Sequence, residues 1–158
     1  MTAHQRDLDA APDLGPLPGI LGLLLRLAQV RHYDRFYAAF EGTEVRPGEM
    51  TLLWLLELNP GIRQGVAART LLIKPAHMTK VVQRMIDAGL VARLTPSDDR
   101  RAVTLQLTAA GAAHLARHRD AFLRVSSAEA TGLTGADYDT LLALLRRLAF
   151  QGHHADRS

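Results

Sequence analysis

The sequence predicts a mainly α-helical chain with one small β-wing, and three observations carry that expectation. Apolar residues recur at steps of three and four along most of its length, the mark of helices with one buried face. Between Leu90 and Leu107 that period gives way to two short alternating segments around a polar turn. Positive charge gathers in the middle: from Gly61 to Leu107, Arg63, Arg69, Lys74, Lys80, Arg84, Arg93, Arg100 and Arg101 face only Asp87, Asp98 and Asp99. The remainder of the chain is net acidic, a pattern that suits a polyanion-binding module on a neutral or acidic scaffold, with a merely solvated charged surface as the alternative.

The elements follow in order. Residues 1–16 hold Pro12, Gly15 and Pro16 without lasting periodicity and read as a mobile arm. From Leu17 to Phe40 a wide apolar stripe (Leu23, Leu27, Val30, Tyr33, Phe36, Phe40) predicts one long helix, broken by residues 41–46. Pro47 suits a first helical position with Glu49 in the first turn, and that helix ends before Asn59-Pro60-Gly61. A short helix is expected from Ile62 to about Leu71. Another opens at Pro75 and closes near Gly89, with Met78, Val81, Val82, Met85 and Ile86 on its buried side. The hairpin strands are expected at Leu90–Thr95 and Ala102–Leu107. Thr108 caps a helix reaching about Val125, and Thr134 caps a last, leucine-rich helix to about Phe150.

Composition sets further bounds. The 158 residues suffice for one domain, or for a small reader with helical extensions. There is no cysteine, so disulfides, thiolate metal sites and thiol redox sensing are excluded. No apolar run approaches the roughly 18 residues of a membrane span, and the N-terminus lacks a signal-peptide pattern, so a cytoplasmic protein with no membrane partner is expected. Neither a metal-ligand spacing nor a catalytic motif stands out. No cofactor and no enzymatic activity are expected.

Helix, short helix, helix opening at a proline, then a hairpin with a basic tip is the order of a winged helix-turn-helix. A helix of this kind fits the major groove of B-DNA with its N-terminal residues at base edges, and a basic tip can enter the adjacent minor groove. On this reading Lys74, Pro75, Ala76, His77, Thr79 and Lys80 form the DNA-facing side of the reading helix, with Arg84 a phosphate candidate one turn on. The alternative is an ordinary solvated face in which Pro75 only starts the helix and Arg84 is a solvated charge. Asp99, Arg100 and Arg101 form the tip, where an Asp99 ion pair is an alternative use of the charge.

The run from Pro47 to Gly111 resembles the MarR (multiple antibiotic resistance regulator) family of bacterial transcription factors. The resemblance is carried by GIRQGVAARTLLIKPAHMTKVVQRMIDAGLV, then DDRR, then VTLQLTAAG. Ala67-Ala68 stands at the usual Leu-Ala, Thr79 at the common threonine of the recognition helix and Met85 at its leucine. Gly89-Leu90-Val91 matches the turn into the wing, Asp99 and Arg101 the Asp-x-Arg wing motif, and Leu107-Thr108 with Gly111 the Leu-Thr-x-x-Gly exit. Leu72 departs from the pattern, standing where a turn glycine is common. Gly65 and Lys74-Pro75-Ala76 also depart.

The resemblance implies a sequence-specific regulator, most often a repressor, released by a small molecule of aromatic or phenolic character. It gives Arg101 the minor-groove role. His32, Tyr33, Tyr37, Trp54 and His114 are candidates to line a ligand crevice between reader and dimer helices, with half-buried structural roles the alternative. The apolar first and last helices would leave a large exposed patch on a monomer, so a homodimer on a pseudo-palindromic DNA duplex is expected, with Leu141, Leu144, Leu145 and Leu148 between subunits. The expected organisation is an arm (1–16), a dimerisation helix and linker (17–46), the DNA-binding winged helix-turn-helix (47–107), helices completing the dimer body (108–151) and a frayed tail (152–158). A ligand-binding helical protein without DNA binding, and a ligand-independent architectural DNA binder, are the alternatives.

Overall fold

The computed structural model describes residues 12–94 and 103–150. Seven helices and three strands are described: α1 (Leu21–Ala39), α2 (Pro47–Leu58), β1 (Ile62–Arg63), α3 (Gln64–Thr70), α4 (Pro75–Asp87), β2 (Val91–Leu94), β3 (Thr104–Leu107), α5 (Ala109–Val125), α6 (Ala128–Thr131) and α7 (Gly135–Ala149). Leu90 and Val103 fall outside the wing strands, against expectation, while the expected strand ends Thr95 and Ala102 lie outside the described residues. The hairpin tip, with Asp99, Arg100 and Arg101, lies outside the described residues.

Three elements differ from the sequence expectation. The first helix starts at Leu21 rather than Leu17, because Leu17–Gly19 forms a separate 3-10 turn. The extended Ile20 divides turn from helix. The short helix begins at Gln64, not Ile62: Ile62 and Arg63 add a third antiparallel strand to β3, with Ile62 opposite Leu105 and Arg63 opposite Thr104. Two bonds frame that pairing, Gly61 N–H to the Leu105 carbonyl and Gln64 N–H to the Val103 carbonyl, both 3.0 Å. A two-residue strand has no period to read, so only its partner reveals it. Last, α6 is an extra turn capped by Ser127, whose Oγ accepts from the Ala130 N–H, and it ends at Gly132 in the left-handed conformation.

The core is built by the reader. Met50, Leu52, Leu53 and Leu56 of α2, Ala67 and Ala68 of α3, Met78, Val82 and Met85 of α4, Val91 and Leu105 of the sheet and Leu115 of α5 are all buried in one cluster. Phe36 of α1 and Phe40 just past its end join it, their rings stacked at 4.4 Å, with Phe122 of α5 edge-on to Phe36. These contacts fasten the C-terminal end of α1 to the reader. The other ends are bare: α7 buries none of its residues within one chain, and Ile20, Leu21, Leu24, Leu27 and Val30 are exposed, as are Leu141, Leu144 and Leu148. Leu145 is half-buried.

One junction sets the wing relative to α5. The Thr108 hydroxyl donates to the Gly89 carbonyl at 2.6 Å and accepts from the Gly111 N–H at 2.9 Å, while the Thr108 N–H donates to the Leu90 carbonyl at 3.1 Å. The helix cap therefore also clamps the turn that ends α4.

Candidate nucleic-acid interface

Helix α4 has a strongly divided surface. Met78, Val81, Val82 and Met85 face the core, whereas Lys74, Pro75, Ala76, His77, Thr79 and Lys80 are all exposed. Pro75 occupies the first turn, where its missing N–H is no loss. Lys74 precedes it in an extended conformation, so its side chain projects from the helix start. The expected DNA-facing residues of α4 thus share the exposed N-terminal end of one helix. Thr79 is partly committed: its hydroxyl donates to the Pro75 carbonyl at 3.0 Å.

The turn before α4 is strained. Leu72 has φ of 52°, the only non-glycine residue with positive φ among the described residues, and it is 81% exposed. A β-carbon is disfavoured in this left-handed region.

Arg84 is held differently from a free phosphate ligand. Its Nε donates to Glu49 Oε1, tying the recognition-helix candidate to the first turn of α2. The Glu49 side chain is 13% exposed and that of Arg84 42%, so the carboxylate is the desolvated partner and depends on this contact.

This ion pair lines a cavity of about 740 Å³ between the reader and the helices around it. Tyr37 of α1, Phe40, Val45 and Arg46 after it, Glu49 of α2, Arg84, Met85 and Ala88 at the end of α4, and His114 of α5 form its walls. Of the five residues expected at a crevice, Tyr37 and His114 line it. His32 and Tyr33 lie further up α1, their rings 6.2 Å apart, and do not. Trp54 does not either; it packs 6.3 Å from Phe122 and beneath the guanidinium of Arg119, which also binds Glu57. Val45, Arg46, Glu49 and Met85 were not among the expected lining residues. They come from separate segments with no shared motif, so no spacing in the sequence marks them.

His114 stands 4.6 Å from His118, one turn along α5. Its pKa lies below the usual histidine value because burial disfavours the cation, with the His118 and Arg117 charges adding to the effect and Glu49 opposing it. His118 and His32 are lowered for the same first reason, assisted by Arg117 and Arg35 respectively. Among the described residues no group of three or more His, Asp or Glu side chains is placed to hold a metal ion. No helix among them is long and apolar enough to cross a membrane.

Residues 45–103 match the family model described as MarR family. A putative transcriptional regulatory protein for the hcr operon of Thauera aromatica is 33% identical over 135 residues, covering 85% of this chain and 81% of that protein. The transcriptional repressor CouR bound to a 23-mer DNA duplex superposes with a TM-score of 0.80 at 31% identity, over 89% of this chain and 99% of CouR. CouR bound to p-coumaroyl-CoA superposes with a TM-score of 0.76 at 30% identity, over 88% of this chain and 98% of CouR.

Proposed function

The chain belongs to the MarR family of DNA-binding transcriptional regulators, and from that premise we propose that it is a homodimeric repressor released by an aromatic or phenolic effector. It acts as a regulator and not as an enzyme, in the cytoplasm, on a pseudo-palindromic duplex. Lys74, His77 and Lys80 at the exposed start of α4 meet the major groove. Pro75 and Ala76 lie beside them, and Thr79 borders the contact. Asp99, Arg100 and Arg101, on the family's wing motif, serve the minor groove. The dyad is formed by the apolar faces of α1 and α7, which a lone chain leaves in water.

The observation that carries the effector reading is the cavity bounded by both α1 and the end of α4. A ligand there touches Tyr37 and Phe40 on the dimer side and Arg84 and Met85 on the recognition helix. It therefore has a direct way to favour one placement of α4 over another, which is what an effector must do to shift affinity. The mixed lining suits an aromatic ring, with Tyr37, Phe40 and Met85 offering apolar contact; an anionic group on it would meet Arg46, or compete with Glu49 for Arg84. The p-coumaroyl-CoA bound by CouR is of this chemistry.

A mobility-shift titration on the DNA upstream of the protein's own gene tests the reading. Aromatic acids and their CoA thioesters are added separately. A salt-sensitive complex released by one of these series is expected. A complex that no member releases would remove the effector, and absence of any duplex binding would remove the regulator.

A further inference from the structure

We propose that Gln64 is a positioning residue that locks the wing to the recognition helix, and that it holds Arg93 as a further DNA-phosphate contact. The proposal rests on the DNA-reading function above.

Gln64 is the first residue of α3 and is half-buried. Its backbone N–H is bonded to the Val103 carbonyl, beside strand β3. Its side chain reaches two other elements: Nε2 donates to Thr79 Oγ1 of α4 at 3.2 Å, and Oε1 accepts from Arg93 Nη2 of β2 at 3.5 Å. One residue therefore joins the short helix, the recognition helix and both strands of the wing.

The chemistry allows one arrangement of this amide. A guanidinium only donates, so the Gln64 oxygen faces Arg93 and its nitrogen faces Thr79. Thr79 then accepts from Gln64 and gives its own proton to the Pro75 carbonyl. Each group is used in the sense it can supply. A side chain that only donates would repel Arg93, and one that only accepts would compete with Pro75 for the Thr79 proton.

Arg93 is exposed and lies directly opposite Leu105 in the β2–β3 register. Directly opposed residues share a sheet face, so Arg93 projects on the side of Leu105, toward the reader helices. Its guanidinium reaches Gln64, whose amide also bonds Thr79 on the exposed side of α4. With α4 in the major groove and the wing in the minor groove, the phosphate backbone separating the grooves would run past the root of the wing, within reach of Arg93.

The test compares the intact protein with Arg93→Ala and Gln64→Met by fluorescence anisotropy, on operator and random duplexes across a salt series, with urea unfolding of each protein alongside. Methionine keeps the length and bulk of glutamine and removes both hydrogen bonds. Arg93→Ala should weaken both duplexes and reduce the log K against log salt slope by about one unit per subunit. Gln64→Met should weaken operator binding by no more than Arg93→Ala does, since it acts on DNA only through the placement of Arg93 and Thr79, with at most a small fall in the urea midpoint for two solvent-accessible hydrogen bonds. The double variant should lose less than the product of the two single effects. Native-like affinity and slope in both variants, from a protein that itself binds the operator, overturns this proposal alone. No salt-dependent duplex binding by the unaltered protein overturns the DNA reading and this proposal together.

Discussion

A β-carbon placed on Gly111 would lie 2.0 Å from the carbonyl oxygen of Leu90 and 2.9 Å from its carbonyl carbon. The obstacle is backbone, and that same carbonyl accepts the Thr108 N–H. The glycine of the Leu-Thr-x-x-Gly pattern is required for close approach of α5 to the turn after α4, since its φ is not positive.

Gly111→Ala is therefore expected to force α5 away from Leu90 and strain the Thr108 clamp. A cost of about 1–3 kcal/mol is expected, the range for overpacking a rigid site. A lowered urea midpoint measures it, and a midpoint equal to that of the native protein would show that the junction yields freely.

Leu72→Gly should do the opposite. The side chain is almost fully exposed, so little packing is lost, while the left-handed strain disappears. After the greater chain entropy of glycine is subtracted, a gain of about 0.5–1 kcal/mol is expected. Thermal unfolding should rise by about 1–4 °C. An unchanged or lower melting temperature would mean that the leucine makes a compensating contact in the dimer.

On the proposed reading, the exposed start of α4 divides its labour by charge. Lys80→Ala should weaken operator and random duplex by similar factors and lower the salt slope by about one unit per subunit. His77→Ala should instead lower the ratio of operator to random affinity, by about 1–3 kcal/mol for each base pair it reads, with little change in slope. Binding of both duplexes unaltered by either substitution would place the reader elsewhere.

Leu144→Asp tests the dyad. Leu144 is exposed in the single chain, so a carboxylate there leaves the reader's own core intact. Between subunits it would be an unpaired charge costing several kcal/mol. Sedimentation should show monomers, and operator affinity should fall. A stable dimer at native strength would move the interface away from α7.

Acid should weaken the fold through its histidines. In His114 the folded-state pKa lies below the usual value of 6.5, so between those two values the unfolded chain binds more protons. Its stability contribution is complete above 6.5 and is lost as pH falls through 6.5 toward the folded value. His32 and His118 act in the same direction. Urea midpoints at about pH 8 and pH 5.5 should differ less in His114→Gln than in the native protein. An equal difference in both would remove His114 from the pH response.

The sequence foretold the helices whose signals are local. Pro47 and Pro75 open α2 and α4, and the Thr108 and Thr134 side chains accept the N–H bonds that begin α5 and α7. Buried Met78, Val81, Val82 and Met85 follow the helical spacing that was legible in the chain. Strand β1 and turn α6 were not legible, because two or four residues carry no period.

Local rules therefore determined which helices form and which face of α4 stays in water, since caps and periodicity act over a turn or two of chain. Tertiary structure alone decided the rest. It brought Glu49 to Arg84, thirty-five residues apart, and Gln64 to both Thr79 and Arg93. It also enclosed a cavity with Tyr37, Val45, Met85 and His114, and left Trp54 and His32 off its walls. These contacts join segments distant in sequence. Their geometry follows from how the apolar faces of α1, α2, α4 and α5 pack, and no short stretch of residues encodes that packing.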